Sequence, residues 1–327
     1  EIAEKRPLHN EIGKRKMHGK VEGAFVLQPK PGLYEDLVIF DFTSMHTSII
    51  ISFNVSRTTL LDKKEAGCFE SPELDIKGEK TKVCFSKKPG FVPLLLKDIF
   101  DKRKKFKNEY KKNPSAITKA RSNVFKLLSA SVHGYQGFFG ARYYSYEAAA
   151  AVLAYVREFD QKTIEKIRNA GYEIVYSDTD SIAFLQEDKT KSEIKDLLKK
   201  INLELPGIME LDLEDFYKRG LFVSTRNGNK NVGAKKKYAL LEESGKLKIR
   251  GFETVRRDWC ALARKLQRDV LESVLETGNE KKASEIFKKV VDRLKTGKVD
   301  IEELKVRTQL KRDIGDYISK GPHVAAA

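Results

Sequence analysis

The chain has 327 residues, of which 40% are hydrophobic and 34% charged, enough for a sizeable core and about two or three subdomains. No apolar run approaches the roughly 20 residues that a membrane span needs, and the charged first residues carry no signal-peptide pattern. Lys and Arg number 63 against 47 Asp and Glu, and the resulting charge of +16 favours a polyanionic partner such as nucleic acid. The alternative is a charged surface that serves solubility or thermostability.

The first apolar strands lead to a carboxylate. Residues 1–20 are basic, and VEGAFV (Val21 to Val26) predicts a short strand before a turn-rich connector. LVIFDFTS begins with four apolar residues, which is typical of a strand buried on both faces, and Asp41 follows at its end. A charge there is costly unless it is paired or metal-bound. The alternative is that Asp41 caps the helix predicted to begin near Ser44.

The segment 54–92 is predicted to be loop-rich, and it contains two of the three cysteines. Cys68, Cys84 and Cys260 show no CxxC spacing, so a zinc site is not expected. Cys68 and Cys84 could close a loop, although cytosolic disulfides are unusual outside hyperthermophiles.

Two helices follow, and their short connection predicts an antiparallel hairpin. The first begins near Phe91, residues 113–115 break it, and the second is predicted over 116–132. The exposed face is dense in Lys and Arg, which suits phosphate binding or a merely solvated surface. Arg103 and Lys107 lie one helical turn apart in the first helix, and Lys126, Ala130 and His133 share one face of the second.

A long helix ends at Gly171, and a β-hairpin follows it. The stretch YSDTDSIAF (Tyr176 to Phe184) has Asp178 and Asp180 at a polar turn between apolar runs. Strand residues two apart point to the same side, so these carboxylates repel each other unless a cation lies between them. A divalent metal with oxygen ligands would fit, whereas the simpler alternative is a solvated turn.

Acidic and then basic residues mark the next strands. MELDLEDFYKRGLFVST predicts strands in which three carboxylates alternate onto one face, near a metal or, more simply, at a solvent-facing edge: Glu210, Asp212 and Glu214. After a Gly/Asn loop three lysines enter another strand, which suits phosphate binding or protection of a sheet edge. The remainder from Ala261 is predicted to be mostly helical and basic.

The carboxylates and the basic hairpin together suit two-metal phosphoryl transfer. Asp41 ends one strand, and Asp178 and Asp180 belong to the hairpin. Two divalent ions about 3.5–4 Å apart can stabilise the attacking and the leaving oxygen together. Arg and Lys from another element would then hold the triphosphate.

In their order and spacing these motifs resemble those of a family B DNA polymerase of the archaeal replicative type, over nearly the whole chain. DFTSMHTSII resembles DxxSLYPSII, KLLSASVHGYQG resembles KxxxNSxYG, and YSDTDS matches the third polymerase motif. AKKKYALLEESGKLKIRGFETVRRDW is similar to the primer-binding segment and the entry to the thumb, and TQLKRDIGDYISKGPHVAAA to the later thumb. VEGAFV stands where that family has a YxGG-like motif.

The resemblance implies an α+β fold with the right-hand polymerase architecture: an antiparallel-sheet palm, helical-hairpin fingers and a helical thumb. It implies a division into an N-terminal connector (1–34), a first palm segment (35–92), fingers (93–134), a second palm segment (135–252) and a truncated thumb (253–327). The chain starts without methionine, and we expect it to be a piece of a longer protein.

The resemblance also implies roles for individual residues. The catalytic metal ligands would be Asp41, Asp178 and Asp180, which would hold two Mg²⁺ ions, with Mn²⁺ as an alternative. The nucleotide site would comprise Arg103, Lys107 and Lys126 at the phosphates, and His46, Ala130 and His133 in the pocket. The DNA contacts would come from Lys235, Lys236, Lys237, Tyr238, Arg256 and Arg257. Cys68 and Cys84 match a pair that forms a disulfide in hyperthermophilic relatives, where closure of a loop of about 15 residues contributes about 3 kcal/mol.

The chain departs from the family motifs in the nucleotide pocket and not at the metal site. His46 and Thr47 replace Tyr and Pro in the first motif, and Ala130 and His133 replace Asn and Tyr in the second. His46 stands where the family has the tyrosine that excludes a 2′-hydroxyl. Because an imidazole is smaller than a phenol ring and can hydrogen-bond, we expect weaker exclusion of ribonucleotides.

The expected activity is DNA-templated DNA polymerisation from a dNTP onto a primer 3′-hydroxyl. The expected partners are primer–template DNA, dNTP, and a separate chain with the exonuclease and N-terminal region or a sliding clamp, with no membrane and a cytoplasmic, nucleoid-associated location. The alternative is a catalytically weak or silent relative that binds primer–template or organises a replisome. A different two-metal enzyme, such as a nuclease, fits the order of the motifs less well.

Overall fold

The structure is a computed structural model that describes residues 21–76, 78–225, 232–307, 309–310, 313–318 and 321–325. The basic segment 1–20, most of the Gly/Asn loop and parts of the C-terminal stretch therefore lie outside the described residues. The chain forms two compact units. The first comprises the described residues up to Leu27 together with Val38–Glu214, and the second comprises Gln28–Leu37 and the described residues from Asp215 onward.

Asp41, Asp178 and Asp180 lie in or between the strands of the first unit, which follow one another in the sheet in the order β1-β8-β9-β2. Their bounds are Val26–Leu27 (β1), Gly32–Phe42 (β2, which begins in the second unit), Ile174–Asp178 (β8) and Ser181–Leu185 (β9). β8 pairs antiparallel with β1 and β9, with Asp178 opposite Val26 and Ser181. The predicted hairpin is confirmed, whereas the strand predicted from Val21 forms only at Val26.

The segment between β2 and the helical hairpin folds into short antiparallel strands, although the sequence predicts loops. These strands are Leu60–Leu61 (β3), Phe69–Glu70 (β4), Leu74–Ile76 (β5), Glu79–Thr81 (β6) and Cys84–Phe85 (β7). β7 pairs with both β3 and β4, and β5 pairs with β6. Strands of two or three residues give no periodicity that a sequence could reveal.

The helices of the first unit are Met45–Ser52 (α1), Phe91–Lys112 (α2), Ala116–Gly137 (α3), Tyr146–Asn169 (α4) and Lys191–Leu203 (α5). The predicted hairpin is formed by α2 and α3. Ser115 begins α3 with a capping box, in which its side chain and that of Thr118 bond to each other's backbone N–H. The rings of Phe106 and Phe125 stack between the helices at 5.2 Å. The second helix ends at Gly137, five residues later than the predicted 132.

The core of the first unit explains why the aspartates end buried strands. Val38 and Phe40 are fully buried, and the ring of Phe40 packs edge-on against that of Phe184 of β9 at 4.9 Å. Burial of such a ring contributes about 2–3 kcal/mol. Near its start, helix α4 has four consecutive buried alanines, Ala148–Ala151, so this turn is enclosed on all sides. The helix ends before Gly171, whose φ of +86° requires glycine, as predicted.

The second unit contains a meander and helices, with the strands β10, β11 and β12 in that order from β2. The bounds are Leu211–Ser224 (β10, which begins in the first unit), Gly233–Glu242 (β11), Leu247–Arg250 (β12), Ala261–Thr277 (α6), Lys281–Lys295 (α7), Ile301–Leu304 (α8) and Pro322–Ala325 (α9). β11 pairs antiparallel with β10 and β12. Leu241 of β11 and Leu275 of α6 belong to one buried apolar cluster.

The α+β class predicted from the sequence is confirmed, since antiparallel strands and helices form both units. Within the described ranges, no helix combines the length and the apolar composition that crossing a bilayer would require.

Candidate active site

A cavity of about 450 Å³ in the first unit, here called the central cavity, brings together most of the residues predicted to bind metal or nucleotide. It is lined by Asp41, Phe42, Ser44, Met45, His46, Thr47, Arg103, Lys126, Ser129, Ala130, His133 and Asp180. Seven of these twelve come from β2, α1 and their connection or from the β8–β9 turn, and five come from the helical hairpin. Carboxylates and cations therefore share one cavity.

Asp41 and Asp180 reach the central cavity from two neighbouring strands. The backbone N–H of Phe42 donates to the carbonyl oxygen of Asp180 at 2.8 Å, which joins the end of β2 to the β8–β9 turn. Asp41 does not cap the next helix, because α1 begins only after Ser44. The predicted alternative for Asp41 is therefore wrong.

Asp178 does not line the central cavity, and the reason is the conformation of the turn. Thr179 has a φ of +64°, and the N–H of Asp180 donates to the carbonyl of Asp178 at 2.7 Å. Asp178 is the last residue of β8, whereas Asp180 lies in the turn. The two residues therefore do not follow one strand, since the turn separates them. The hydroxyl of Thr179 donates to the carboxylate of Asp178 at 3.0 Å.

A third carboxyl group, which the sequence did not single out, lies buried behind this turn. Asp160 of α4 is fully buried, and the hydroxyl of Ser177 lies 2.9 and 3.0 Å from its two oxygens. Burial raises the pKa of Asp160 to about 7, the charges of Asp180 and Asp178 add to the rise, and the Ser177 bond opposes it. The signal in the sequence was a polar residue inside the apolar stripe of α4.

Two of the carboxylates are suited to bind a divalent cation. Asp41 and Asp180 supply the oxygen ligands that Mg²⁺ prefers, in one partly open cavity. No cluster of three or more His, Cys, Asp or Glu side chains suited to hold a metal occurs in the described part of the chain. The donor set that the geometry provides is therefore the pair, with Asp178 at the neighbouring strand end.

Two cations of the helical hairpin complete the central cavity. The guanidinium of Arg103 donates to the hydroxyl of Ser44, which holds it beside the end of β2. Burial lowers the pKa of Arg103, though a guanidinium keeps its charge at neutral pH. Lys126 of α3 lines the same cavity, whereas Lys107 lines a neighbouring one. The predicted shared face of Lys126, Ala130 and His133 is confirmed.

The two histidines of the pocket contact each other. The ring centroids of His46 and His133 are 4.8 Å apart, with the planes tilted by 40°. Burial lowers the pKa of His46, and burial together with the neighbouring His46 lowers the pKa of His133 to about 4. Both imidazoles are therefore neutral at pH 7 and can each donate and accept one hydrogen bond. The Nδ1 atom of His133 is buried without a partner among the described residues.

The cysteines of the first unit are free thiols in this structure. Cys84 is buried on β7 and Cys68 is half-buried. Burial raises the pKa of Cys84 to about 11, and a hydrogen bond with Cys68 adds to the rise. That bond brings the two sulfurs together, while the disulfide itself stays a prediction.

The lysines of the second unit are not equivalent. Lys235 and Lys236 are exposed, but the ammonium of Lys237 donates to both carboxylate oxygens of Glu253, at 2.9 and 3.0 Å. Gln267 donates to the same carboxylate at 2.8 Å, and with the lysine it lowers the pKa of Glu253 to about 2. Lys237 therefore has an internal partner, which the sequence gave no means to predict.

The remaining predicted DNA contacts also lie in the second unit. The ring of Tyr238 packs against that of Phe222 at 5.5 Å. Arg256 forms an exposed ion pair with Asp258, and Arg257 is exposed.

Comparison with known proteins identifies the family. Residues 4–327 match the family described as DNA polymerase family B. The chain is 38% identical over 336 aligned residues to the DNA polymerase of Thermococcus gorgonarius, and 37% identical over 336 to that of Thermococcus sp. (strain 9oN-7). Both alignments cover 100% of this chain and 41% of the relative, so the chain spans about two fifths of the length of these relatives.

A solved structure agrees with these sequence matches. The family B DNA polymerase from the hyperthermophilic archaeon Pyrobaculum calidifontis is similar with a TM-score of 0.67 and 32% identity, over 95% of this chain and 39% of that chain. Since the family match covers nearly every residue, the chain belongs to DNA polymerase family B.

Proposed function

We propose that this chain provides the polymerase centre of a DNA-templated DNA polymerase, which adds a deoxynucleotide to the 3′-hydroxyl of a primer. The observation that supports this most is that Asp41 and Asp180 line one cavity together with Arg103 and Lys126. Nucleotidyl transfer needs carboxylates for metal ions beside cations for a triphosphate, and this cavity contains both.

The proposed cofactor is a pair of Mg²⁺ ions, with Mn²⁺ as an alternative, held by Asp41 and Asp180 with Asp178 beside them. Such ions, when bound, stabilise the charge on the attacking and leaving oxygens. The chain itself fixes the carboxylates through the backbone bond between β2 and the β8–β9 turn. Arg103 is oriented by its bond to Ser44, and together with Lys126 it would bind the phosphates and neutralise their charge.

Primer extension in the presence of Mg²⁺ tests the activity and the site together. Replacing Asp180 by Asn removes a carboxylate charge with little change of shape, so extension should fall by about a hundredfold or more. Asp188→Asn, at an exposed turn after β9, is the matched control and should extend at the wild-type rate. Primer–template binding should persist in both variants. Equal extension by Asp180→Asn and wild type would contradict the assignment, and binding without extension in the wild type would favour the silent scaffold.

We also propose that the pocket discriminates weakly against ribonucleotides. The imidazole ring of His46, which is smaller than a phenol ring, packs against the ring of His133. The side chain of Ala130 takes up little space in the central cavity. His46→Tyr should raise the preference for dNTP over rNTP, measured as the ratio of single-nucleotide incorporation efficiencies. His133→Tyr is the companion variant, because it enlarges the other ring of the pair. A wild-type ratio that already equals that of His46→Tyr would refute the proposal.

We propose Lys235, Lys236 and Arg257 as phosphate contacts for primer–template DNA, because their cationic side chains are exposed at the surface. Lys235→Ala with Lys236→Ala should reduce the slope of log affinity against log salt by about 2, because each lost phosphate contact removes about one unit. An unchanged slope would remove these lysines from the interface. A partner chain with the remaining regions of the relatives, or a sliding clamp, stays a prediction.

A further inference from the structure

A second cavity adjoins the central cavity along helix α2. It has a volume of about 210 Å³, and here it is called the side cavity. Ser44 and Arg103 line both cavities, so the guanidinium bonded to the Ser44 hydroxyl stands at their junction. Both cavities lie wholly in the first unit. The two cavities are therefore adjacent at Arg103.

One wall of the side cavity is a row of cations. Lys104, Lys107 and Lys111 of α2 line it, and their spacing of three and four residues puts them on one helix face beyond Arg103. None of these three lysines has an acidic partner within 4 Å among the described residues, whereas other lysines of α2 do: Lys97 pairs with Asp101 and Lys102 with Asp98. The row therefore presents ammonium groups without direct ion pairs to an anion in the side cavity.

Two carboxylates also line the side cavity, which limits how tightly an anion can be held. Glu210 and Asp212 line the side cavity, and the hydroxyl of Thr43 donates to the Asp212 carboxylate at 3.2 Å. A wall of cations attracts a polyphosphate, while carboxylates in the same small cavity repel it. That combination suits a passing anion better than a resident one.

We propose that the side cavity is the exit subsite for inorganic pyrophosphate, an inference that rests on the proposed function. Transfer forms a bond between the primer 3′-oxygen and the α-phosphorus and breaks the bond from that phosphorus to the bridging oxygen. The electron pair stays on that oxygen, so pyrophosphate departs as an anion, and the hydroxyl proton goes to solvent. The anion moves past Arg103 onto Lys104 and Lys111, and Asp212 keeps it from lodging there.

Inhibition of primer extension by pyrophosphate tests the proposal, because it depends on binding at the exit subsite, whereas the KM for dNTP depends on the substrate site. The test variant is Lys104→Ala with Lys111→Ala, and the control is Lys112→Ala, which lies on the same helix but does not line the side cavity. The pyrophosphate concentration that halves primer extension should rise about fivefold or more in the test variant, since each exposed cation contributes up to about 1 kcal/mol. It should fall in Asp212→Asn, while the KM for dNTP stays within about twofold of wild type in the lysine variant.

Two results would overturn the proposal while the chain extends primers. One is that pyrophosphate inhibits the lysine variant as strongly as it inhibits the wild type. The other is that the KM for dNTP rises by the same factor as the inhibitory pyrophosphate concentration, which would make the side cavity part of the substrate site. If the wild type extends no primer, the proposed function fails instead. Calorimetric binding of inorganic pyrophosphate to the wild type, the lysine variant and Lys112→Ala then tests the subsite alone, and equal affinities would refute it.

Discussion

Asp160→Asn should make the folded protein less sensitive to pH, because it removes a buried carboxyl group that must ionise. The pKa of Asp160 in the folded protein is about 7, whereas its ordinary value is 3.8. The folded state therefore retains a proton that the unfolded chain releases. The stability associated with that proton is present below about pH 3.8 and is lost as the pH rises to about 7. Each pKa unit corresponds to about 1.36 kcal/mol, so the loss between about pH 5.5 and pH 7 is about 2 kcal/mol.

Asparagine has nearly the same shape, still accepts a hydrogen bond from the hydroxyl of Ser177, and does not titrate. The free energy of unfolding of Asp160→Asn, relative to wild type, should thus rise by about 2 kcal/mol between about pH 5.5 and pH 8.5. Urea denaturation at several pH values, with EDTA present so that no cation shields the neighbouring aspartates, measures it. Asp188→Asn, at an exposed turn, should run parallel to wild type. If Asp160→Asn also runs parallel, the raised pKa is wrong.

Three further changes test other parts of the fold. Glu253→Gln should lower the free energy of unfolding at pH 7 by about 2–3 kcal/mol, because hydrogen bonds from Gln267 and a neighbouring lysine lower the pKa of Glu253 to about 2. The stability that the ionised carboxylate contributes is present above about pH 4.5 and is lost as the pH falls toward 2. Urea denaturation should therefore find that the difference in unfolding free energy between variant and wild type shrinks at low pH. Gly207→Ala should cost about 1–3 kcal/mol in thermal unfolding, because Gly207 has a φ of +59° and an added Cβ would lie 2.4 Å from the Ser52 hydroxyl oxygen; an unchanged Tm would contradict this. Cys84 should resist iodoacetamide at pH 8 until the protein unfolds, since burial raises its pKa to about 11, and mass spectrometry of the folded protein would detect early labelling.

The sequence revealed those features that depend on a local pattern. A continuous apolar run identified the buried part of β2, and Asn113 with Pro114 identified the break between α2 and α3. The shared face of Lys126 and His133 followed from helical periodicity alone. That Asp41 and Asp180 line the same cavity was expected from the family resemblance more than from their spacing in the sequence.

The features that the sequence did not reveal depend on contacts between distant residues or on one unusual dihedral angle. Thr179 is β-branched and would not be expected at a φ of +64°, so the sequence predicts the polar turn between Asp178 and Asp180 but not its conformation. The partner of Lys237 lies 16 residues further along the chain. Asp160 stands out only as a polar residue in the apolar stripe of α4, and its contact with Ser177 of β8 depends on the tertiary fold.

The helical hairpin has a mechanical consequence. The buried residues at the start of α2, Val92, Pro93 and Leu96, lie within its first two turns, and beyond them α2 packs mainly on α3. Each helix is about 33 Å long, so the two helices form a rigid pair that is anchored at one end by the clamp of buried residues. A rotation of about 5° at the clamp would move Arg103 by about 1.6 Å and Lys111 by about 2.6 Å, given a rise of 1.5 Å per residue. The outer cations would then lose their grip on a bound anion before the inner one does.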